Sequence, residues 1–180
     1  MKMPQNLKGR MISTLACAIL FACTVSAQES PELTDPEIAS VAVTANQIDV
    51  NYGKFALKKS KNAEVRRFAK SMIQDHNSII KQAVDLAGKL GVTPKDNAVT
   101  QSLLKGEKET FAKLEKLKGN AFDKAYIDNE VAYHTAVIEA VKKLLVPQTQ
   151  NAQLKELLIS AGPLLDHHLE MAKMAQKSIK

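Results

Sequence analysis

The chain lacks tryptophan, and aromatic residues make up only 4% of its 180 positions. Its two cysteines, Cys17 and Cys23, both fall within the first 27 residues. The remaining chain therefore has neither a disulfide nor a thiolate metal ligand, whatever compartment it occupies. No run of β-branched residues alternates with polar ones over a strand's length, which argues against a sheet and for an all-α fold. A glycine-rich phosphate loop, a CxxC pair and a nucleophile elbow are also missing, so no enzyme class declares itself. Nor is there a run of apolar residues long enough to span a bilayer.

The formal charge of +6 is smaller in effect than it looks. Residues 1–27 read as a secretory leader, with Lys2, Lys8 and Arg10 ahead of the apolar run Met11 to Ala22 and small residues at Val25-Ser26-Ala27. An alternative cut lies at Leu20-Phe21-Ala22-Cys23, where a lipid anchor on Cys23 is the minor reading. The leader carries three of the 25 Lys and Arg and none of the 19 Asp and Glu, which leaves the remainder at 22 against 19, or +3. A charge that small, spread along helix faces, excludes a nucleic-acid footprint. The expected location is the bacterial envelope, periplasmic or secreted, with no transmembrane helix in the mature chain and an envelope protein as a candidate partner.

What is present is helical periodicity. Residues 28–34 read as a disordered tether, and residues 35–180 as one domain. Thr34-Asp35-Pro36-Glu37 opens a first helix with a capping residue, a proline whose missing N–H costs nothing and a first-turn acid. Ile38, Val41, Ala45, Ile48, Tyr52 and Phe55 then repeat at steps of three and four. A second helix, from about Ala63 to Leu90, carries Val65, Phe68, Met72, His76, Ile79, Ala83, Leu86 and Leu90 on one stripe, and Gly91 ends it. Residues 91–120 form a long connection with a short amphipathic helix or two. The third helix, about residues 121–146, presents Ile127, Val131, His134, Ile138, Val141 and Leu145. The fourth, from about Asn151, presents Leu154, Leu158, Ala161, Leu165, His168, Ala172, Ala175 and Ile179, with a kink expected at Gly162-Pro163. Four long amphipathic helices with one long helical connection between helices 2 and 3 describe a ferritin-like four-helix bundle.

Three of the four histidines occupy slots that the stripes otherwise fill with aliphatic residues. His76, His134 and His168 lie near the centres of their helices, as does Asp49 on the first. Helices of similar length packed side by side bring their centres together, so these groups should meet at mid-height. Glu130 lies one turn before His134, and Asp75 sits beside His76. Imidazoles are costly in an oily core unless each ring nitrogen finds a partner. One divalent transition metal ion would serve all three, with Asp49, Asp75 or Glu130 as oxygen ligands or as acceptors behind the imidazoles. Imidazole and carboxylate suit Zn, Fe, Mn, Cu or Ni without choosing among them. The alternative is a hydrogen-bonded network, closed by Tyr52, Tyr126 or Tyr133, that only sets the helix register. His167, turned about 100° from His168, reads as a flank residue.

FAKSMIQDH (Phe68 to His76), FDKAYIDNEVAYH (Phe122 to His134) and PLLDHHL (Pro163 to Leu169) resemble the exported bacterial ferritin-like proteins called domain of unknown function 4142. The resemblance covers about residues 35–178. It implies the bundle and export, with His168 rather than His167 at the family's histidine position. The family usually has Glu where this chain has Asp49, which shortens the carboxylate's reach. Di-iron proteins of the same architecture use Glu-x-x-His on two helices. Here the pairs are Asp75-His76 and Glu130-x-x-x-His134, so the di-iron pattern is absent. The reading that follows is an exported metal-binding or metal-sensing bundle, with a structural or interaction module as the alternative.

Overall fold

A computed structural model describes residues 31–179, and the regular secondary structure among them is all helical. The leader, the lipid-anchor position Cys23 and residues 28–30 of the expected tether lie outside the described residues. Among the described residues, no helix is long and apolar enough to cross a membrane.

The helices are α1 (Asp35–Lys59), α2 (Ala63–Leu90), α3 (Ala98–Leu114), α4 (Gly119–Ala140), the single turn α5 (Val146–Gln148) and α6 (Ala152–Ser178). Three of them start on the same device: the side chains of Asn62, Asn97 and Asn151 each accept two backbone N–H groups from the first turn that follows. Gly91 ends α2 with φ +62°, a left-handed conformation that glycine adopts without a side-chain clash. Between α4 and α5 the backbone widens into a π-helical turn, Val141–Leu145, just before Pro147. Pro163, where a kink is expected, lies inside α6, whose helical assignment is continuous from Ala152 to Ser178.

Residues 31–35 are fastened to the α5 end. Leu33 N–H donates to Gln148 Oε1, and Gln148 Nε2 donates to the Pro31 carbonyl. Asp35 accepts the backbone N–H groups of Gln150 and Asn151, tying the first turn of α1 to that of α6. The connection between α2 and α4 contributes α3, which lies along α1: Ser40 and Thr100 hydroxyls meet at 3.2 Å, and Phe111 packs edge-on against Tyr52 and Phe55.

The stripes of α1, α2, α4 and α6 face inward, but the core they make is uneven. One cluster is dense and aromatic, with Tyr52, Phe68, Met72, Phe122 and Tyr126 all buried together. A smaller aliphatic one gathers Ile38, Val41, Leu145, Leu154 and Leu158 at the opposite end. After His76, α2 has no fully buried residue: Ile79, Ala83, Leu86 and Leu90, which the stripe assigns to the core, are half-buried. They flank a cavity of about 330 Å³ that begins where the dense cluster stops. At that boundary lie the histidines.

Candidate metal centre

Each histidine reaches the interior from its own helix, His76 from α2, His134 from α4 and His168 from α6. Their ring centroids are 4.9 Å (His76–His168), 5.5 Å (His134–His168) and 5.7 Å (His76–His134) apart. All three are at most 2% exposed, as are Asp49 and Glu130. The structure thus brings together five of the six residues singled out in the sequence. Two groups of three offer ligand atoms within 4.8 Å of one another: His76, His134 and His168, and Asp49, Glu130 and His134. The sixth residue, Asp75, belongs to neither. Its carboxylate is a third exposed and lies 3.0 Å from His168 Nε2. His167 is exposed, consistent with a flank position.

The hydrogen bonds assign a direction to every ring. Asn46 Nδ2 donates to the Ala42 carbonyl, which leaves Asn46 Oδ1 to accept from His76 Nδ1 at 2.7 Å. His134 Nδ1 donates to the Glu130 backbone carbonyl at 3.0 Å. His168 Nε2 donates to Asp75 Oδ2. In each ring, then, one nitrogen holds a proton toward an outer acceptor. The other three nitrogens, His76 Nε2, His134 Nε2 and His168 Nδ1, are buried without a hydrogen-bond partner. Asp49 Oδ2 lies 3.1 Å from the first of these and 3.3 Å from the second.

Ionisation follows from burial. Desolvation raises Glu130 well above the ordinary carboxyl range, and the charge of Asp49 adds to it, so burial favours its protonated form. Burial also works against the charge on Asp49, but the neighbouring imidazoles, His76 first, outweigh it and hold this carboxyl below its usual value. Burial depresses His134, and it takes His168 to about 4 against the opposing bond from Asp75. Near neutral pH the Asp49 carboxylate therefore lies beside uncharged imidazole lone pairs on His134 and His168. A buried anion among unused donors is an arrangement that a cation stabilises.

Asn46 was not singled out in the sequence. It lies three residues before Asp49, one turn along the same face of α1, and that spacing was the available signal. Tyr133, named there as a member of the polar network, instead donates its hydroxyl to the Ala45 carbonyl on α1. The Tyr126 and Tyr133 hydroxyls are both pushed well above their usual pKa, by burial first, and so stay protonated.

Comparison with solved structures finds a similar fold in a protein described as CopM in the Cu(II)-bound form. The match has a TM-score of 0.62 at 15% identity, and it covers 82% of this chain and 100% of that one. At that identity the likeness concerns the fold alone. Comparison with curated proteins gives no match. A family profile, however, matches residues 22–175, the stretch that holds all the helices except the last turn of α6. The chain belongs to the family described as Domain of unknown function (DUF4142).

Proposed function

We propose that this chain is an exported ferritin-like four-helix bundle that binds one divalent transition metal ion, as a metal carrier or sensor of the bacterial envelope. His76 Nε2, His134 Nε2 and His168 Nδ1 would supply the nitrogen donors and Asp49 an oxygen. Asn46, the Glu130 carbonyl and Asp75 would act behind them, each holding the far ring nitrogen as a donor so that the near one keeps its lone pair. Glu130 would stand by as a further oxygen ligand. The observation that carries this reading is the set of three unpartnered ring nitrogens, all buried and all belonging to one cluster. Three imidazoles and a carboxylate suit Zn, Cu, Ni, Fe or Mn, and affinity among these generally rises to Cu. The similar structure is a Cu(II)-bound one, which makes copper the first ion to try.

The test is direct. The protein is purified without a histidine tag, stripped with chelator and titrated with Cu(II), Zn(II), Ni(II), Fe(II) and Mn(II). Bound metal is then counted by mass spectrometry. One ion per chain is expected, and His134→Ala should abolish it. Refusal of all five ions would end the proposal.

A second reading draws on the Asp49 bridge, because its Oδ2 already lies within ion-pair distance of two of the three free nitrogens. On that reading the centre is a polar network that fixes helix register, and the outer faces serve a protein partner. His134→Ala would then destabilise the fold equally with and without metal ions.

A further inference from the structure

The cavity beyond the histidines has a composition of its own. Its walls come from α1, α2, α3, α4, the π-turn and α6, and they are hydrocarbon along almost their whole extent. Small side chains create the space: Ala42, Ala45, Ala83, Ala87, Ala140 and Ala161 line it, whereas tyrosine, phenylalanine and methionine fill the other half of the interior. Along α1 it runs from Asp35 to Asp49, fourteen residues or roughly 21 Å of helix. Its volume of about 330 Å³ is within the range of small-molecule sites.

Its polar groups sit at the two ends. The outer end has Asp35 and Asn151, and the inner end has Asn46, Asp49, His76 and His134. At the inner end, Asp49 Oδ1, His76 Nε2 and His134 Nε2 have no hydrogen-bond partner. No lysine or arginine lines the cavity, and both fixed charges there are acidic. A buried anionic headgroup would find no countercharge. A hydroxyl would find acceptors at the inner end. Leu86 and Leu157 line both this cavity and a polar surface pocket between α2 and α6 that also carries Gln82, Lys89, Gln153 and Glu156.

We propose that the cavity binds a neutral, single-chain amphiphile, its hydrocarbon body along α1 and its hydroxyl end at Asn46 and Asp49. The hydroxyl end borders the proposed metal ligands Asp49, His76 and His134, so the site is tested on chelator-stripped protein. The neutral apolar dye N-phenyl-1-naphthylamine is titrated into the purified protein and then displaced with 1-dodecanol or with dodecanoate. Saturable dye binding is expected, with dodecanol displacing at least tenfold better than dodecanoate. Ala83→Phe should weaken dye binding at least tenfold, whereas Ala132→Phe, on the exposed side of α4, should leave it unchanged. Ala42→Leu fills the same space from α1 and replaces Ala83→Phe if circular dichroism shows that the latter does not fold. Absence of dye binding, or binding indifferent to the filling variant, overturns the site. Equal displacement by alcohol and carboxylate overturns the neutral ligand.

Discussion

The Oδ2 atom of Asp49 lies 3.1 Å from Nε2 of His76, with both side chains almost wholly removed from water. The contact joins the only fully buried acid of α1 to the α2 ring that Asn46 orients, so Asp49 stands where an ion among the imidazoles would find its oxygen. Replacing Asp49 with Asn keeps the shape and removes the charge. Metal affinity should fall at least ten- to a hundredfold, about 1.4 to 2.7 kcal/mol, read by competition against a chromophoric chelator. An unchanged affinity would exclude Asp49 from the centre.

Asp75 acts one step further out. Its bond to His168 Nε2 keeps the Nδ1 lone pair facing the other rings. Asp75→Ala removes that acceptor and frees the ring to take the other tautomer. Affinity should drop by about ten- to a hundredfold, while the fold, followed by circular dichroism, should change little because Asp75 is part-exposed. Asp75→Asn retains an acceptor and should recover part of the loss.

Acid should destabilise the metal-free protein. His134 and His168 have folded pKa values below their unfolded ones, the latter about 4, so between roughly pH 6.5 and 4 the unfolded chain binds up to two more protons on these rings. Glu130 works the other way, because its raised pKa lets the folded chain hold a proton that the unfolded chain releases above the ordinary carboxyl value. The two rings outnumber the one carboxyl, and Asp49, held below its usual value, joins their side at the acid end. Stability should therefore decline as pH falls through this window, by up to about 1.4 kcal/mol per pH unit, as measured by urea titrations at fixed pH. A flat profile would show that the rings are not buried neutral.

At Gly53 the α1 backbone lies close against α2. A Cβ there would lie 2.9 Å from the Ala69 carbonyl oxygen and 2.9 Å from Ile73 Cγ1. The isoleucine can turn away, but the backbone oxygen cannot. Gly53→Ala should thus lower stability by about 1 to 3 kcal/mol despite alanine's better helix propensity. Thermal unfolding would read this as a lower Tm, and a raised Tm would show that the helices part without penalty.

The helices and the meeting of the polar residues were both legible in the sequence, for the same reason. His134 occupies a slot between Val131 and Ile138, and a stripe position reports which way a side chain faces whatever its chemistry. Ring orientation was not legible, because it depends on contacts across the chain: Asn46 reaches His76 from 30 residues away and Asp75 reaches His168 from 93. Nor was the cavity. Leu86 and Leu90 keep the stripe of α2 and were read as core, yet periodicity says nothing of how far the facing helix stands off. The alanines opposite them decide that.

The alanine-lined space also governs how the molecule answers compression. Unfolding eliminates internal void, so the unfolded chain occupies less total volume, by about 20 to 100 mL/mol in typical proteins. Hydrostatic pressure therefore favours opening, and it acts where the void is. The half between Ala42 and Ala161 should yield first, while the aromatic half anchored by Tyr52 and Phe122 holds.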